Sequence, residues 1–245
     1  MPPTIHLVRH AQGYHNLCAE NEKLPDPELT PLGVQQCADL RSSFPHHARL
    51  SALVASSMRR TLQTCIQSFG TPGLYPVIAL DSLQEVSDAP SDTGSSTEKL
   101  REEFGDKVDL SRVREGWNQK GEGSFFEPTL EQLPVRAREA RRALRDIAGQ
   151  GDAHIAVVSH GAFLHFLTEE WHGITTVYPT SWKNCEYRTF QFVDPTGQDQ
   201  DATLRETEES WRRRQGELKP LTPEENRELR DMTLREIAPF FKVKT

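Results

Sequence analysis

The sequence lacks long apolar runs and is poor in cysteine, and both shortages exclude classes of protein. No stretch of the 245 residues reaches the ~20 uncharged residues that a membrane-spanning helix requires. The N-terminal residues show no basic segment followed by an apolar one, so we expect no secretion signal. The four cysteines form neither a Cys-x-x-Cys pair nor a zinc-type spacing with histidine. We therefore expect reduced thiols, no metal site and a cytoplasmic location.

Positive charge is scarce relative to negative charge. Asp and Glu number 36 against 29 Lys and Arg, which gives a net charge of −7. This excess disfavours non-specific binding to nucleic acid or to an anionic membrane, so we expect neither partner. A local cluster of arginines can still bind a small anionic substrate, because contacts at short range override the global charge.

Apolar strand candidates alternate with amphipathic helix candidates along most of the chain. We predict strands over residues 4–9, 51–55, 76–80, 154–159 and 186–193, and helices over residues 32–44, 59–69, 132–148 and 162–171. This alternation predicts a three-layer α/β/α sandwich with a mostly parallel central sheet. Ligands of such sheets bind beyond the carboxyl ends of the strands.

Two segments fall outside the alternation, although we expect residues 1–245 to form a single domain. Residues 85–129 contain no clear strand and are rich in Pro, Ser, Gly and charge. We expect them to form an inserted lid or side wall over the sheet edge. Residues 194–245 are highly charged and are expected to form a helical C-terminal extension.

Two helix signals lie within that extension. Leu204, Trp211 and Leu218 recur every seven residues, which predicts a helix with one narrow apolar stripe. Thr222 and Glu225 have the spacing of a capping box at the start of a second helix.

Polar residues gather where the predicted strands end. Arg9 and His10 follow the first strand, Arg60 begins the helix after the second strand, and His160 follows the fourth. Because the carboxyl ends of parallel strands meet at one edge of a sheet, we expect these four side chains to converge.

Four segments in this order resemble the signature motifs of the histidine phosphatase superfamily, the phosphoglycerate-mutase-like clan. They are residues 7–16 (LVRHAQGYHN), 29–33 (LTPLG), 56–61 (SSMRRT) and 159–161 (SHG). The first is most similar to the Arg-His-Ala-Gln-Gly-x-His-Asn type of fungal and plant members. It departs from the family at Ala11, where many members have Gly, and at Gly13, where mutases place a hydroxyl residue on the phosphate.

The resemblance assigns catalytic roles to the converging residues. It implies that His10 attacks phosphorus, that Arg9 and Arg60 grip the phosphate oxygens, and that His160 donates to one of them. The chemistry fits, because a phosphate dianion requires fixed cations and an uncharged nucleophile. Nearby arginines keep an imidazole neutral at pH 7. Arg59, the neighbour of Arg60, is expected on a solvated helix face.

Further residues complete the predicted site. The resemblance makes Glu85 the general acid that protonates the leaving group, with Asp92 as the alternative acid. Asn16 and Gln12 are expected to orient the phosphate or the nucleophile loop. Lys120 is expected to reach a second anionic group of the substrate.

These residues predict a metal-independent and cofactor-independent phosphatase that acts on a small phosphorylated metabolite through a phosphohistidine. Two alternatives remain open: a mutase that returns the phosphoryl group to a sugar acid, and an inactive module that binds a phosphorylated ligand or a partner. Residues 85–127 lack the Arg-Arg-Ser-type substrate loop of mutases in this clan, which favours the phosphatase. The sequence is compatible with a monomer or a homodimer.

Overall fold

Seven strands form one mixed sheet in the computed structural model, which describes residues 2–175, 180–237 and 243. They are β1 (Thr4–Arg9), β2 (Leu50–Ser56), β3 (Val77–Leu80), β4 (Val108–Asp109), β5 (His154–Ser159), β6 (Tyr187–Phe192) and β7 (Leu204–Glu206). Their order across the sheet is β4-β3-β2-β5-β1-β6-β7. Strands β1 to β5 are parallel, β6 is antiparallel to β1, and β7 is antiparallel to β6.

Helices cover both faces of this sheet. They are α1 (Pro31–Ser43), α2 (Arg59–Phe69), α3 (Thr97–Phe104), α4 (Gln132–Ala148), α5 (Gly161–Thr168), α6 (Glu208–Gln215) and α7 (Pro223–Ile237). Side chains of α1, α2 and α3 pack in one hydrophobic core, and side chains of α4, α5 and α7 pack in the other. The predicted three-layer sandwich is therefore confirmed.

The central strands divide their side chains between the two cores. Along β5, Ile155 and Val157 join the core under α4 and α5, whereas Ala156 and Val158 join the core under α2. Successive side chains of a strand point to opposite faces, so a strand covered on both sides must be apolar throughout. This requirement explains the uninterrupted apolar run of β5 and leaves its polar residues at the end, where His160 follows.

The inserted segment contributes to the sheet itself. Residues 85–129 contain α3 and the short strand β4, which pairs in parallel with β3 at the sheet edge. The expectation that this segment holds no strand was therefore wrong. Two residues of pairing give too short a pattern to be recognised in a sequence.

The seven-residue stripe in the C-terminal extension does not form one helix. Leu204 lies in β7 opposite Phe192 of β6, Trp211 lies in α6, and Leu218 is 61% exposed beyond that helix. Gly216 ends α6 with a positive φ of 63°. The sheet therefore extends to residue 206, and the predicted start of the extension at residue 194 is too early.

The second helix of the extension begins as predicted. The amide of Glu225 donates to Thr222 Oγ1 at 3.2 Å, and the amide of Thr222 donates to Glu225 Oε2 at 2.7 Å. This reciprocal pair is the capping box, and α7 starts between the two residues. The end of the extension, residues 238–242 and 244–245, lies outside the described residues.

All four cysteines are free, with Cys37 and Cys65 buried and Cys18 exposed. In the described part of the chain, no helix has both the length and the apolar character that a bilayer span requires.

A fully buried histidine lies near the beginning of β1, far along the strand from His10. His6 Nδ1 is 3.1 Å from Thr189 Oγ1, and its Nε2 is 3.0 Å from His154 Nδ1. Burial, with smaller contributions from His46 and His154, lowers the pKa of His6 from 6.5 to about 3. The ring is therefore neutral in the folded protein at any pH near neutrality.

Replacing His6 with Asn should remove one acid-sensitive contribution to stability. Between pH 6.5 and about 3 the unfolded chain carries a proton on His6 that the folded chain does not. Stability therefore falls as the pH falls through this window, by up to ~1.4 kcal/mol per pH unit for this one group. In urea titrations at several pH values, His6→Asn should be less stable than wild type at pH 7.5 and should lose less stability between pH 6.5 and 4.

Phe44→Leu provides the matched control. The Phe44 ring packs edge-on against His6 with the ring centroids 5.1 Å apart, so this variant weakens the same packing but leaves the titrating group in place. It should lose stability at every pH and keep the wild-type slope. An unchanged slope in His6→Asn would contradict the assignment.

Candidate active site

His10 follows β1 directly and is held by its neighbours on both sides. Its Nδ1–H donates to the carbonyl of Ala11 at 2.7 Å, and its own carbonyl accepts from Asn184 Nδ2 at 2.8 Å. The amide of Ala11 donates to Thr64 Oγ1 at 3.0 Å. The ring is only 2% exposed. Because Nδ1 is the donor, the lone pair of the ring is on Nε2.

Arg60 lies at the start of α2 and joins the predicted site residues to one another. Its Nε is 3.3 Å from His10 Nε2, and its Nη2 is 3.0 Å from both His160 Nδ1 and Asp92 Oδ1. Nη1 donates to the carbonyl of Ser91. The side chain is fully buried. The structure thus brings together residues that lie 150 positions apart in the sequence.

The two histidines of the site are neutral. Burial and the guanidinium of Arg60 hold the pKa of His10 and of His160 well below 6.5. His160 Nε2 lies 2.9 Å from Ser56 Oγ, at the end of β2. With Nδ1 accepting from Arg60, this second contact places the proton of His160 on Nε2.

Arg9 is the second buried cation beside His10. Its Nη1 donates to the carbonyl of Trp182 at 2.6 Å, while its Nε has no hydrogen-bond partner among the described residues. A Cβ added to Gly161 would lie 3.1 Å from this Nε, so a glycine at the start of α5 gives the guanidinium its space. The Nε–H group of Arg9 can therefore donate a hydrogen bond to an anion.

Glu85 lies in the loop that follows β3, and its carboxylate contacts the first amides of α5. Its Oε1 accepts from the amides of Phe163 at 2.9 Å and Val86 at 3.0 Å, and its Oε2 accepts from the amide of Ala162 at 3.3 Å. Burial and the nearby Asp92 carboxylate raise the pKa of Glu85, against the opposing effect of Arg60 and the amides. This carboxyl group therefore keeps its proton to a higher pH than an exposed glutamate does.

Lys120 does not reach the substrate side of the site, which corrects the prediction. Its Nζ donates to the carbonyls of Glu85 at 3.2 Å, Ser87 at 2.6 Å and Asp92 at 2.6 Å. Burial, together with the nearby Arg136 guanidinium, lowers the pKa of Lys120 to about 7. The three carbonyl contacts offset the cost of burying the ammonium group and fix the loop that carries Glu85 and Asp92.

A cavity of about 200 Å³ opens beside the ring of His10. Its polar lining includes Arg9, His15, Asn16, Glu22, Glu85 and Asp92. Arg60 and His160 are fully buried and do not line the cavity. A larger cavity, about 810 Å³, lies beside Trp171 and Trp211 under the C-terminal helices and is lined by none of the predicted site residues.

Gln12 supports the nucleophile loop but does not line the cavity. Thr30 Oγ1 donates to Gln12 Oε1 at 2.9 Å and accepts from the amide of Gly33 at 3.0 Å, which caps α1. A Cβ on Gly33 would lie 2.2 Å from the carbonyl oxygen of Gln12, so only glycine allows α1 to approach this closely. Of the two roles predicted for Gln12, this contact through Thr30 favours orientation of the nucleophile loop, and the role itself stays a prediction.

Asn16 lies toward the cavity and Arg59 lies away from it. Asn16 lines the cavity, and its Oδ1 accepts from the amide of Gly13 at 3.1 Å. Arg59 points away from the cavity, with its Nε 2.6 Å from Glu103 and its Nη2 3.3 Å from Glu28. The choice of Arg60 over Arg59 as the inward residue agrees with this geometry.

Sequence reasoning missed His15 and Glu22 as members of the site. Both lie in the loop between β1 and α1. His15 falls within the nucleophile segment 7–16, and this position could have indicated it, whereas Glu22 lies beyond the segment and has no such signal. Burial and the two nearby arginines lower the pKa of His15 to about 2, so its ring is neutral. His15 and Glu22 do not form part of a metal site. In the ranges that the structure describes, no group of three or more His, Cys, Asp or Glu side chains can hold a metal ion.

Comparison with known proteins gives one family. The family model described as Histidine phosphatase superfamily (branch 1) matches residues 5–204. A phosphoglycerate mutase-like protein of Arabidopsis thaliana is 29% identical to this chain, and the match covers 78% of this chain and 84% of the plant protein.

Solved structures share the fold at low sequence identity. The ecdysone phosphate phosphatase of Bombix mori, in complex with tungstate, superimposes with a TM-score of 0.56 at 14% identity and covers 77% of this chain and 89% of its own. YhfR of Bacillus stearothermophilus superimposes with a TM-score of 0.55 at 17% identity, over 89% of this chain and 98% of its own. Both have the three-layer architecture described above.

Replacing Lys120 with Met should loosen the loop over residues 85–92. The side chain keeps its length, but three carbonyl oxygens lose a charged donor, which should lower the free energy of unfolding by about 3 kcal/mol. Urea titration measures this loss, and amide hydrogen exchange should become faster in residues 86–92. The exposed Lys107→Met is the control and should change neither quantity. Unchanged exchange in Lys120→Met would show that the loop does not depend on this side chain.

Proposed function

The chain belongs to the histidine phosphatase superfamily (branch 1), and we propose that it is a phosphatase that hydrolyses a small phosphomonoester, without a metal, through a phosphohistidine on His10. The observation that carries this proposal is the neutral His10 ring, whose Nε2 lies 3.3 Å from Arg60 Nε beside a cavity that Arg9 also lines. An uncharged nucleophile between two guanidinium groups suits attack on a phosphate dianion.

In the first step, His10 Nε2 attacks phosphorus, and the bond between phosphorus and the ester oxygen breaks. Arg60 Nε–H points at the lone pair of Nε2 in the structure, so this contact must be exchanged first. A phosphate oxygen is the stronger acceptor for a guanidinium group, because it carries a negative charge and the ring nitrogen does not. The free Nε of Arg9 supplies a further donor to the same phosphate.

The departing ester oxygen needs a proton, since an alkoxide is a poor leaving group. Glu85 is suited to supply it, because it lines the cavity and has a raised pKa. Asp92 uses its two carboxylate oxygens on Arg60 at 3.0 Å and on Ser87 Oγ at 2.6 Å. In the second step, the ionised Glu85 takes a proton from the water that attacks the phosphohistidine. Inorganic phosphate leaves and His10 is regenerated.

The charges around the cavity favour hydrolysis over the mutase reaction. A mutase that acts on a sugar acid must hold a carboxylate as well as a phosphate. Lys120, the cation expected to do so, is committed to three backbone carbonyls, and the charged lining residues other than Arg9 are acidic. The alternative of an inactive module finds no support in the side chains, because the nucleophile, both arginines, the second histidine and the acid are all present.

Other expectations remain predictions. We propose one catalytic domain over residues 1–245, with residues 85–129 forming a side wall of the site. A cytoplasmic location, a small phosphorylated metabolite as substrate, and a monomeric or homodimeric state complete the proposal.

His10→Ala should abolish phosphatase activity, because no other residue is placed to carry the phosphoryl group. Wild type and variant are compared for hydrolysis of an aryl phosphate in EDTA between pH 5 and 8. Release that resists EDTA and vanishes in the variant supports a metal-free histidine phosphatase. His47→Ala, a histidine bonded to the carbonyl of Arg41 outside the site, is the control. Turnover near wild type in His10→Ala would contradict the mechanism.

A wild-type protein that releases no phosphate would be tested for labelling. Acid-labile labelling by a phospho-donor that is lost in His10→Ala would indicate the mutase alternative or a strict substrate requirement. Absence of labelling would favour the inactive module.

Glu85→Gln should slow esters with poor leaving groups much more than aryl phosphates. An alkoxide needs the proton and a phenoxide scarcely does, so we expect a loss of about 10² to 10⁴ in kcat for an alkyl phosphate and a far smaller loss for 4-nitrophenyl phosphate. Asp92→Asn breaks the ion pair with Arg60 and should slow both substrates by similar factors. If the leaving-group dependence appears in Asp92→Asn instead, the acid is Asp92.

A further inference from the structure

The ring of His15 lies beside the nucleophile. Its centroid is 5.4 Å from the centroid of the His10 ring, and the two ring planes are inclined by 47°. His15 also lines the cavity of about 200 Å³ that contains His10. The charges of Arg60 and Arg9 both act on the His15 ring. This ring is therefore close to the two guanidinium groups that would flank a bound phosphate.

One edge of the His15 ring packs against Gly13. A Cβ added to Gly13 would lie 2.8 Å from both Nδ1 and Cε1 of His15, so a glycine at this position makes room for the ring. Nδ1 is buried and has no hydrogen-bond partner among the described residues. The residue as a whole is half-buried and lines the cavity. The edge that is left to face the cavity is therefore the one that holds Nε2 and Cδ2.

The burial of Nδ1 also decides which nitrogen of His15 carries the proton. Burial, assisted by Arg60 and Arg9, lowers the pKa of His15 to about 2, so the ring is neutral and has one N–H group. A proton on Nδ1 would leave a buried donor without an acceptor, whereas a proton on Nε2 lies where a ligand can accept it. Nε2–H is therefore the donor that the ring offers to the cavity.

Two other uncharged donors near the cavity are already in use. The hydroxyl group of Thr180, which lines the cavity, donates to the carbonyl of Gly161 at 3.0 Å. His160 has its Nε2 2.9 Å from Ser56 Oγ and does not line the cavity. His15 thus offers the cavity an imidazole N–H that no contact within the described residues occupies.

We propose that His15 binds the phosphoryl group of the substrate by donating Nε2–H to one of its oxygens, and that it is a further substrate-binding residue of this site. The inference rests on the proposed phosphatase function. A phosphoryl group has three non-bridging oxygens, and Arg9, Arg60 and His15 together supply donors to them while His10 attacks phosphorus. The neutral ring adds a hydrogen bond without adding a third positive charge beside the nucleophile.

Two substitutions of His15 distinguish the two edges of its ring. An asparagine amide reaches about as far as Nδ1 of histidine, and a glutamine amide reaches about as far as Nε2. His15→Asn should lower kcat/KM for 4-nitrophenyl phosphate by about 10- to 100-fold, because a hydrogen bond to a charged group is lost, and His15→Gln should recover most of that loss. His47→Asn, the same substitution outside the site, is the control and should leave kcat/KM unchanged. Equal losses in His15→Asn and His15→Gln would overturn the assignment to Nε2.

Gly13→Ala moves the His15 ring without removing its N–H group. Gly13 has extended backbone angles, φ −98° and ψ 165°, which alanine adopts freely, so the ring is the nearest obstacle to the new Cβ. Gly13→Ala should lower kcat/KM in the wild-type background and have little further effect in His15→Ala, where there is no ring to displace. Equal losses in both backgrounds would overturn the orientation of the ring on which the inference depends.

Binding of inorganic phosphate separates this inference from the proposed function. Calorimetry gives the Kd of phosphate for wild type, His15→Asn and His15→Gln without turnover. A Kd that rises about tenfold in His15→Asn and falls back in His15→Gln supports the inference even if wild type hydrolyses no ester, in which case only the proposed function fails. Hydrolysis of 4-nitrophenyl phosphate with an unchanged kcat/KM and an unchanged Kd in His15→Asn would overturn the inference alone. A wild-type protein that binds no phosphate would overturn both.

Discussion

The buried guanidinium of Arg60 is the interaction on which the site depends. A charge taken out of water costs several kcal/mol unless its donors are all used. Arg60 uses four of its five N–H donors, on His10, His160, Asp92 and the carbonyl of Ser91. Because the guanidinium is planar and rigid, these contacts also fix the relative positions of groups that arrive from different strands. One side chain thus arranges both histidines and the loop that faces them.

Two further buried cations fix the loop that carries Glu85 and Asp92 in the same way, by binding its polar groups. Lys120 Nζ binds three carbonyls between residues 85 and 92, and Arg136 Nη2 binds the carbonyls of Gln84 and Glu85. A surface loop has few apolar contacts of its own, so charged donors beneath it supply the order that a carboxyl acid requires. This use of cations inside the molecule explains how an acidic protein can still place several positive groups around one site.

The sequence predicted the residues that lie at the carboxyl ends of strands. It did not predict where a side chain binds backbone carbonyls. Arg9, His10 and His160 were found because parallel strands bring their carboxyl ends to one edge, whatever the details of packing. The position of Lys120 was not readable, because a carbonyl acceptor is present at every residue and leaves no mark in the sequence. The prediction of one helix from the seven-residue stripe was wrong for a related reason. The pairing of Leu204 with Phe192 is a tertiary contact that overrides local periodicity.

Burial shifts the pKa of both reactive groups of the proposed mechanism. Removal from water lowers the pKa of His10, which keeps the nucleophile neutral, and raises the pKa of Glu85, which favours the protonated form that a general acid needs. The two guanidinium groups that help to lower the pKa of His10, those of Arg60 and Arg9, are also the cations nearest to a phosphate bound beside the ring. In the proposed mechanism, the charges that keep the nucleophile neutral are therefore the same charges that hold its substrate.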